Sequence, residues 1–156
     1  MKKKLLIFSI ILIIIDQLSK LFIINNFDVD TGIEVIPSFF SILYIRNTGA
    51  AWGIFSSSTI FLAILSMIFL LFALKYVLKS KNLNNFKVFN YSMLFAGIIG
   101  NLIDRIVRKY VIDFLSFKIF FYNFPVFNIA DCFIVISIIL ILIDMYLEER
   151  KCKSDS

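Results

Sequence analysis

The sequence predicts a mainly α-helical, multi-pass membrane protein with four spanning helices, and three observations carry that prediction. Sixty per cent of the 156 residues are hydrophobic, phenylalanine alone occurs nineteen times, and the mean hydropathy is +0.92. The apolar residues gather into four runs, at about 5–25, 59–78, 88–104 and 127–147, each near the ~20 residues that a helix needs to cross hydrocarbon. No internal repeat or long linker divides the chain, so residues 1–156 read as one domain.

The first run follows three lysines at Lys2–Lys4 and resembles a signal peptide, but no small-x-small cleavage site follows it. It is therefore read as a retained helix. That helix carries Asp16 and Lys20, which at i, i+4 share one face and can pair. The plainer reading of this pair is structural, tying the helix to its neighbours.

Residues 26–57 form the first substantial loop. Within it FFSILYIR has the composition of a short strand, although its alternation is imperfect. The segment Asn47-Thr48-Gly49-Ala50-Ala51-Trp52-Gly53 then breaks the pattern with small residues, which permit close backbone approach, and Asn47 offers both amide donors and an acceptor. The second run, from Thr59, stays apolar as far as Lys75, and a basic connector at 79–87 leads to the third.

That third helix ends in the stretch GIIGNLIDRIVRKYVIDF, residues 97–114. Gly97 and Gly100 permit close helix contact, although the pair is not a GxxxG motif. Asn101, Asp104 and Arg105 stand at i, i+3 and i+4, on one helical face. Ionisable groups at a membrane edge are costly unless they are paired or wetted, and so mark a candidate site. The second loop, 106–126, contains FLSFKIFFYNF, a strand or an interfacial aromatic segment. The fourth run then opens with Phe127-Asn128-Ile129-Ala130-Asp131 and closes on a polar tail.

Charge sets the expected orientation. Lysine and arginine number three at the N-terminus, four between Lys75 and Lys87 and three in the tail, against Arg46 alone in the first loop. The positive-inside rule then places both termini in the cytoplasm. Arg105, Arg108, Lys109 and Lys118 dissent, tolerably if some of them serve a site. With this orientation Asp16 lies ~18 Å above Lys4 at 1.5 Å per residue. Asn47, Asn101, Asp104, Arg105, Asp113, Asn128 and Asp131 fall at the same outer level. Asp144 is the exception, near enough to the cytoplasm to snorkel.

The chemistry available there is narrow. Histidine is absent, which removes serine–histidine dyads and triads and HExxH zinc peptidases. Cys132 and Cys152 support neither a disulfide framework nor a thiol–histidine pair, and Cys132 reads as a small apolar filler. No glycine-rich phosphate loop or groove-binding basic helix points to nucleic acid. What remains is carboxylate chemistry. Of two aspartates sharing a proton, the ionised one can deprotonate water while its protonated partner polarises a carbonyl. Asp113, in a Val-Ile-Asp-Phe setting that can bury it, and Asp131, beside Asn128 at i−3, are the best candidates. An aspartate-rich magnesium or manganese site is the chemical rival.

Five segments in order resemble the lipoprotein signal peptidase (signal peptidase II) family: DQxxK at Asp16–Lys20, NTGAAWG at Asn47–Gly53, GxxGNxxDR at Gly97–Arg105, VIDF at Val111–Phe114 and FNIAD at Phe127–Asp131. The resemblance covers almost the whole chain. It implies a metal-free aspartic peptidase of the bacterial cytoplasmic membrane that cleaves diacylglyceryl-modified prolipoproteins before the lipid-bearing cysteine. It also implies Asp113 and Asp131 as the catalytic pair, with Asp16, Lys20, Asn47, Gly97, Asn101, Asp104, Arg105, Asn128 and Ala130 supporting the site or holding substrate. Four helices with a small extracytoplasmic β cradle and a short helix, no cofactor, sensitivity to globomycin, contact with membrane lipids and a monomeric state are further implications. Two positions depart from the family's habit: Lys109 stands where glycine is common, and Ala96 where a paired glycine is.

Two other classes compete. A small proton- or ion-coupled transporter would use the same acids as relay groups, but should spread them through the midplane and often show related halves. A non-catalytic membrane assembly protein would tolerate the loss of either aspartate.

Overall fold

The computed structural model describes residues 1–49, 58–80 and 83–154. Its elements run α1 (Lys2–Asn26), β1 (Gly32–Ile36), β2 (Phe40–Asn47), α2 (Thr59–Lys79), α3 (Asn85–Val107), β3 (Val111–Ile119), β4 (Tyr122–Asn123) and α4 (Ile129–Ser154). All four helices are long and apolar enough to cross a membrane. The strand-bearing connections join α1 to α2 and α3 to α4, so the sheet sits at one end of the bundle, opposite both termini.

The helix ends differ from the sequence expectation for local reasons. α3 starts three residues earlier than the apolar run, because the Asn84 side chain accepts the Lys87 N–H at 2.8 Å and caps it. α4 starts two residues late, since Phe127 is still bridged to Leu115 of β3. It then runs past 147 into the polar tail, where Glu149 and Lys153 pair at i, i+4. Asp144, expected to need only solvent, lies 3.6 Å from Lys87, which also holds Glu148 at 2.6 Å.

α3 is the buried centre. Of its apolar window 67% is buried, against 22% for α1 and 11% each for α2 and α4. It packs on all three of the others. Ser92 ties it to α1 by donating to the Leu5 carbonyl at 3.1 Å. Gly97 lets α4 approach, since a Cβ there would meet the Ala130 carbonyl and Ile134. A Cβ on Gly100 would collide with the Asp16 carboxylate. Outward, the helices present bare Ile, Leu and Phe, as expected of surfaces bathed in lipid tails.

The sheet is antiparallel, in the order β1-β2-β3-β4. β1 went unread in the sequence, whereas β2 and β3 match the two aromatic segments, the second as a strand and not a loose interfacial stretch. Register shifts between Ile42 and Ile45, and between Glu34 and Ile36, explain the imperfect alternation. Pairing of Ile45 with Asp113 and Asn47 with Val111 brings the end of β2 beside the buried start of β3. Tyr44, Ile112, Phe114 and Ile23 of α1 form the core beneath. Among the described residues there is no fifth helix; Ala50–Gly53 of the NTGAAWG segment lie outside them.

Candidate active site

Asp113 is 2% exposed on β3, in the run Val111–Phe114 that seats the strand on the bundle. Its Oδ2 accepts from the Asn47 amide and its Oδ1 from the Asn128 amide, each at 2.7 Å. Burial first, and then the negative charge of Asp131, pushes its carboxyl up to about 7.

Asp131 lies in the first turn of α4. The local sequence Asn-Ile-Ala-Asp builds a reciprocal cap there: Asn128 Oδ1 accepts the Asp131 N–H at 3.0 Å, and Asp131 Oδ2 accepts the Asn128 N–H at 3.1 Å. The other oxygen, Oδ1, accepts from Asn101 Nδ2 at 2.7 Å. Asn128, fully buried, therefore bonds both aspartates, and also donates to Asn101 Oδ1 at 3.1 Å.

Behind this pair lies a buried charge cluster. Lys20, Asp16 and Asp104 are fully buried, and the Lys20 ammonium stands 3.0 Å from each carboxylate. Arg108 reaches Asp104 Oδ1 at 2.6 Å, and Gln17 links Asp16, the Gly100 carbonyl and Arg108. Neither Gln17 nor Arg108 was assigned a role from the sequence, although Arg108 at i+4 from Asp104 was a readable signal.

Asp113 and Asp131 open onto one cavity of about 920 Å³. Asn47, Asn101 and Arg105 share its polar end, and Cys132 lies beside Asp131. Arg105 has no carboxylate within 4 Å among the described residues, so its guanidinium is left to face the cavity. The rest of the lining is apolar, from Phe69 and Phe72 of α2, Leu94 and Ile98 of α3, and Ile134, Val135 and Ile138 of α4. Among the described residues no three metal-ligating side chains converge.

The chain as a whole has counterparts among known proteins. The family model for signal peptidase (SPase) II matches residues 8–147. The chain belongs to the signal peptidase II family. It is 39% identical to the lipoprotein signal peptidase of Staphylococcus aureus over 150 residues, covering 96% of this chain and 91% of that protein. Two solved structures, each described as a bacterial membrane enzyme determined by the in meso method, are similar throughout. The one at 2.3 Å has a TM-score of 0.85 and 38% identity, covering 93% of this chain and 88% of its own. The one at 1.9 Å has 0.80 and 39%, covering 90% and 91%. The match to the signal peptidase II family, a family of proteases, thus covers most of the chain, and the transporter reading finds no support.

Nearly every residue singled out in the sequence reaches this region. Asp16, Lys20, Asn101 and Asp104 interlock, Asn47 and Asn128 hold Asp113, and Ala130, without exposed surface, offers its N–H to Asp16. Gly97 is farther back, as a packing position. Lys109, where the resemblance led to an expectation of glycine, adopts φ 69°, the left-handed conformation that glycine enters freely. The turn is kept, with strain.

Proposed function

We propose that this protein is a membrane aspartic endopeptidase that removes signal peptides from diacylglyceryl-modified prolipoproteins, with Asp113 and Asp131 as its catalytic dyad. One observation carries the reading: Asn128 bonds both carboxylates at the mouth of a single, largely apolar cavity.

The ionised aspartate takes a proton from water, whose oxygen attacks the scissile carbonyl carbon. The protonated aspartate gives its proton to the carbonyl oxygen, forming a gem-diol. The proton taken from water then passes to the leaving nitrogen as the C–N bond breaks, and the other carboxylate recovers a proton from the diol. The dyad ends with one proton, as it began. Asp113, pushed up to about 7 by burial and by Asp131, is the member suited to hold that proton at rest.

The apolar length of the cavity suits an acylated cysteine and the end of a signal helix, with α2 and α4 as walls on α3. Arg105 and Asn101 are placed to hold substrate carbonyls. Asp16, Lys20, Asn47, Asp104 and Asn128 support the dyad. The charge distribution along the chain favours cytoplasmic termini and a site near the outer leaflet.

The test is cleavage of a diacylglyceryl-modified prolipoprotein in lipid by wild type, Asp113→Asn and Asp131→Asn. Both variants should fold and lose cleavage, while chelator leaves the wild type active. Near-wild-type turnover by either variant overturns the dyad.

A further inference from the structure

Lys20 is wholly buried on α1, less than two turns before the end of its helix at Asn26. An ammonium group has three donors, and here each meets an acceptor at 3.0 Å. One is Asp16 Oδ2, a turn earlier on α1; the others, Asp104 Oδ2 and Asn101 Oδ1, belong to α3.

Each acceptor reaches onward to a different part of the dyad. Asp16 Oδ1 accepts the N–H of Ala130 at 3.0 Å, and Ala130 immediately precedes Asp131. Asp104 Oδ2 accepts the N–H of Ile112 at 3.2 Å, and Ile112 immediately precedes Asp113. Asn101, its Oδ1 occupied by Lys20 and Asn128, can offer Asp131 only its NH₂, which lies 2.7 Å from Asp131 Oδ1.

We propose that Lys20 is a positioning residue for the reaction: it ties the peptide unit before each dyad aspartate to one ammonium group, and so sets the separation of the two carboxyls. The proposal rests on reading Asp113 and Asp131 as the dyad. A simple ion pair holding α1 against α3 would need only the Lys20–Asp104 contact. It would not engage the backbone N–H groups of Ala130 on α4 and Ile112 on β3. The cluster is neutral as a unit, because Arg108 pairs with the second carboxylate. The remaining charges facing it are Arg105, Asp113 and Asp131.

The decisive variant is Lys20→Arg, assayed in nanodiscs with a diacylglyceryl-modified prolipoprotein. Arginine keeps the charge, so a pairing role survives, but its flat fork cannot make three converging bonds from one atom. A displacement near 1 Å at a reacting centre costs about 100-fold. The expected result is a folded enzyme with kcat lowered on that scale and KM little changed. The two limbs of the kcat–pH profile should also draw together, since carboxyls held farther apart couple less. A scaffolding role would lower the folded fraction and leave those limbs in place.

Should the arginine not fit, Asp16→Asn with Lys20→Met preserves the neutral balance and removes the tie. It should show the same loss of kcat and the same narrowing. Wild-type kcat and limbs in a folded form of either variant overturn the proposal. If Asp113→Asn or Asp131→Asn still cleaves, the dyad reading itself fails. If both are dead while the Lys20 variants match wild type, only the positioning role fails.

Discussion

Asn128 and Asp131 bond each other twice, side chain to backbone in both directions, at 3.0 and 3.1 Å. The helix cap and the candidate catalytic carboxyl are thus one structure. Asn128 also donates its amide N–H to Asp113, so its two ends have separable tasks: the oxygen caps the helix and the nitrogen holds the second aspartate.

That separation can be measured. Asn128→Ser keeps a capping oxygen but has no NH₂ for Asp113, whereas Asn128→Ala keeps neither. We expect the alanine variant to lose about 0.5–2 kcal/mol of stability, the usual range for a lost cap. The serine variant should recover most of that stability. Cleavage should fall sharply in both. Thermal melts and turnover of the two variants check this, and a serine variant cleaving like wild type would remove the need for the Asp113 contact.

Asp113 predicts how stability follows pH. Its carboxyl is pushed from 3.8 up to about 7. Between those values the folded chain holds a proton that the unfolded chain has released. The stability that Asp113 contributes is therefore fully present below about pH 4, is lost as pH rises towards 7, and changes no further above. The full difference is about 4 kcal/mol at ~1.4 kcal/mol per pH unit. Asp113→Asn cannot lose that proton, so its stability should fall less steeply than that of the wild type over this range. Denaturation of both proteins at pH 4, 5.5 and 8 decides it, and parallel curves would contradict the shift.

Cys132 lines the cavity beside Asp131 as a free, half-buried thiol. In a Cys152→Ser background, a small membrane-permeant maleimide should react with it and abolish cleavage. Bound substrate should slow the reaction. The double variant with Cys132→Ser should cleave normally and ignore the reagent, because the thiol has no part in the chemistry. Mass spectrometry of the labelled protein, read beside activity, provides the check.

Lys109 gives a stabilising prediction. Its left-handed backbone, one residue beyond the cap of α3, costs a side-chain-bearing residue roughly 1 kcal/mol. Lys109→Gly should raise the melting midpoint and leave turnover unchanged. A lower midpoint would mean that the exposed lysine side chain contributes more than its backbone costs.

The helices were legible in the sequence because apolar runs of spanning length have few alternative uses. Their ends were not, since caps such as Asn84 and ion pairs such as Glu149 with Lys153 act outside the hydropathy signal. β1 was hidden because its five residues are all exposed, leaving no buried face to impose alternation. The residue types of the site were legible for a different reason: buried acids in an apolar chain stand out. Their partners were harder to see. Asp16 and Lys20 read as a local pair, but Asp104, 84 residues after Lys20, completes the cluster through packing that no local pattern encodes. Gln17 is amphiphilic enough to pass unnoticed until Arg108 arrives beside it.

The sequence order of these parts has a consequence for biogenesis. α1 enters the bilayer with Asp16 and Lys20 already neutralising each other within one turn, so it can insert before any partner has been made. Asp104 and Asn101 reach Lys20 only when α3 is in place, and Asp131 comes with the last helix. On the proposed dyad, a nascent chain would hold no assembled pair of carboxyls until the fourth helix, which brings Asp131, has docked.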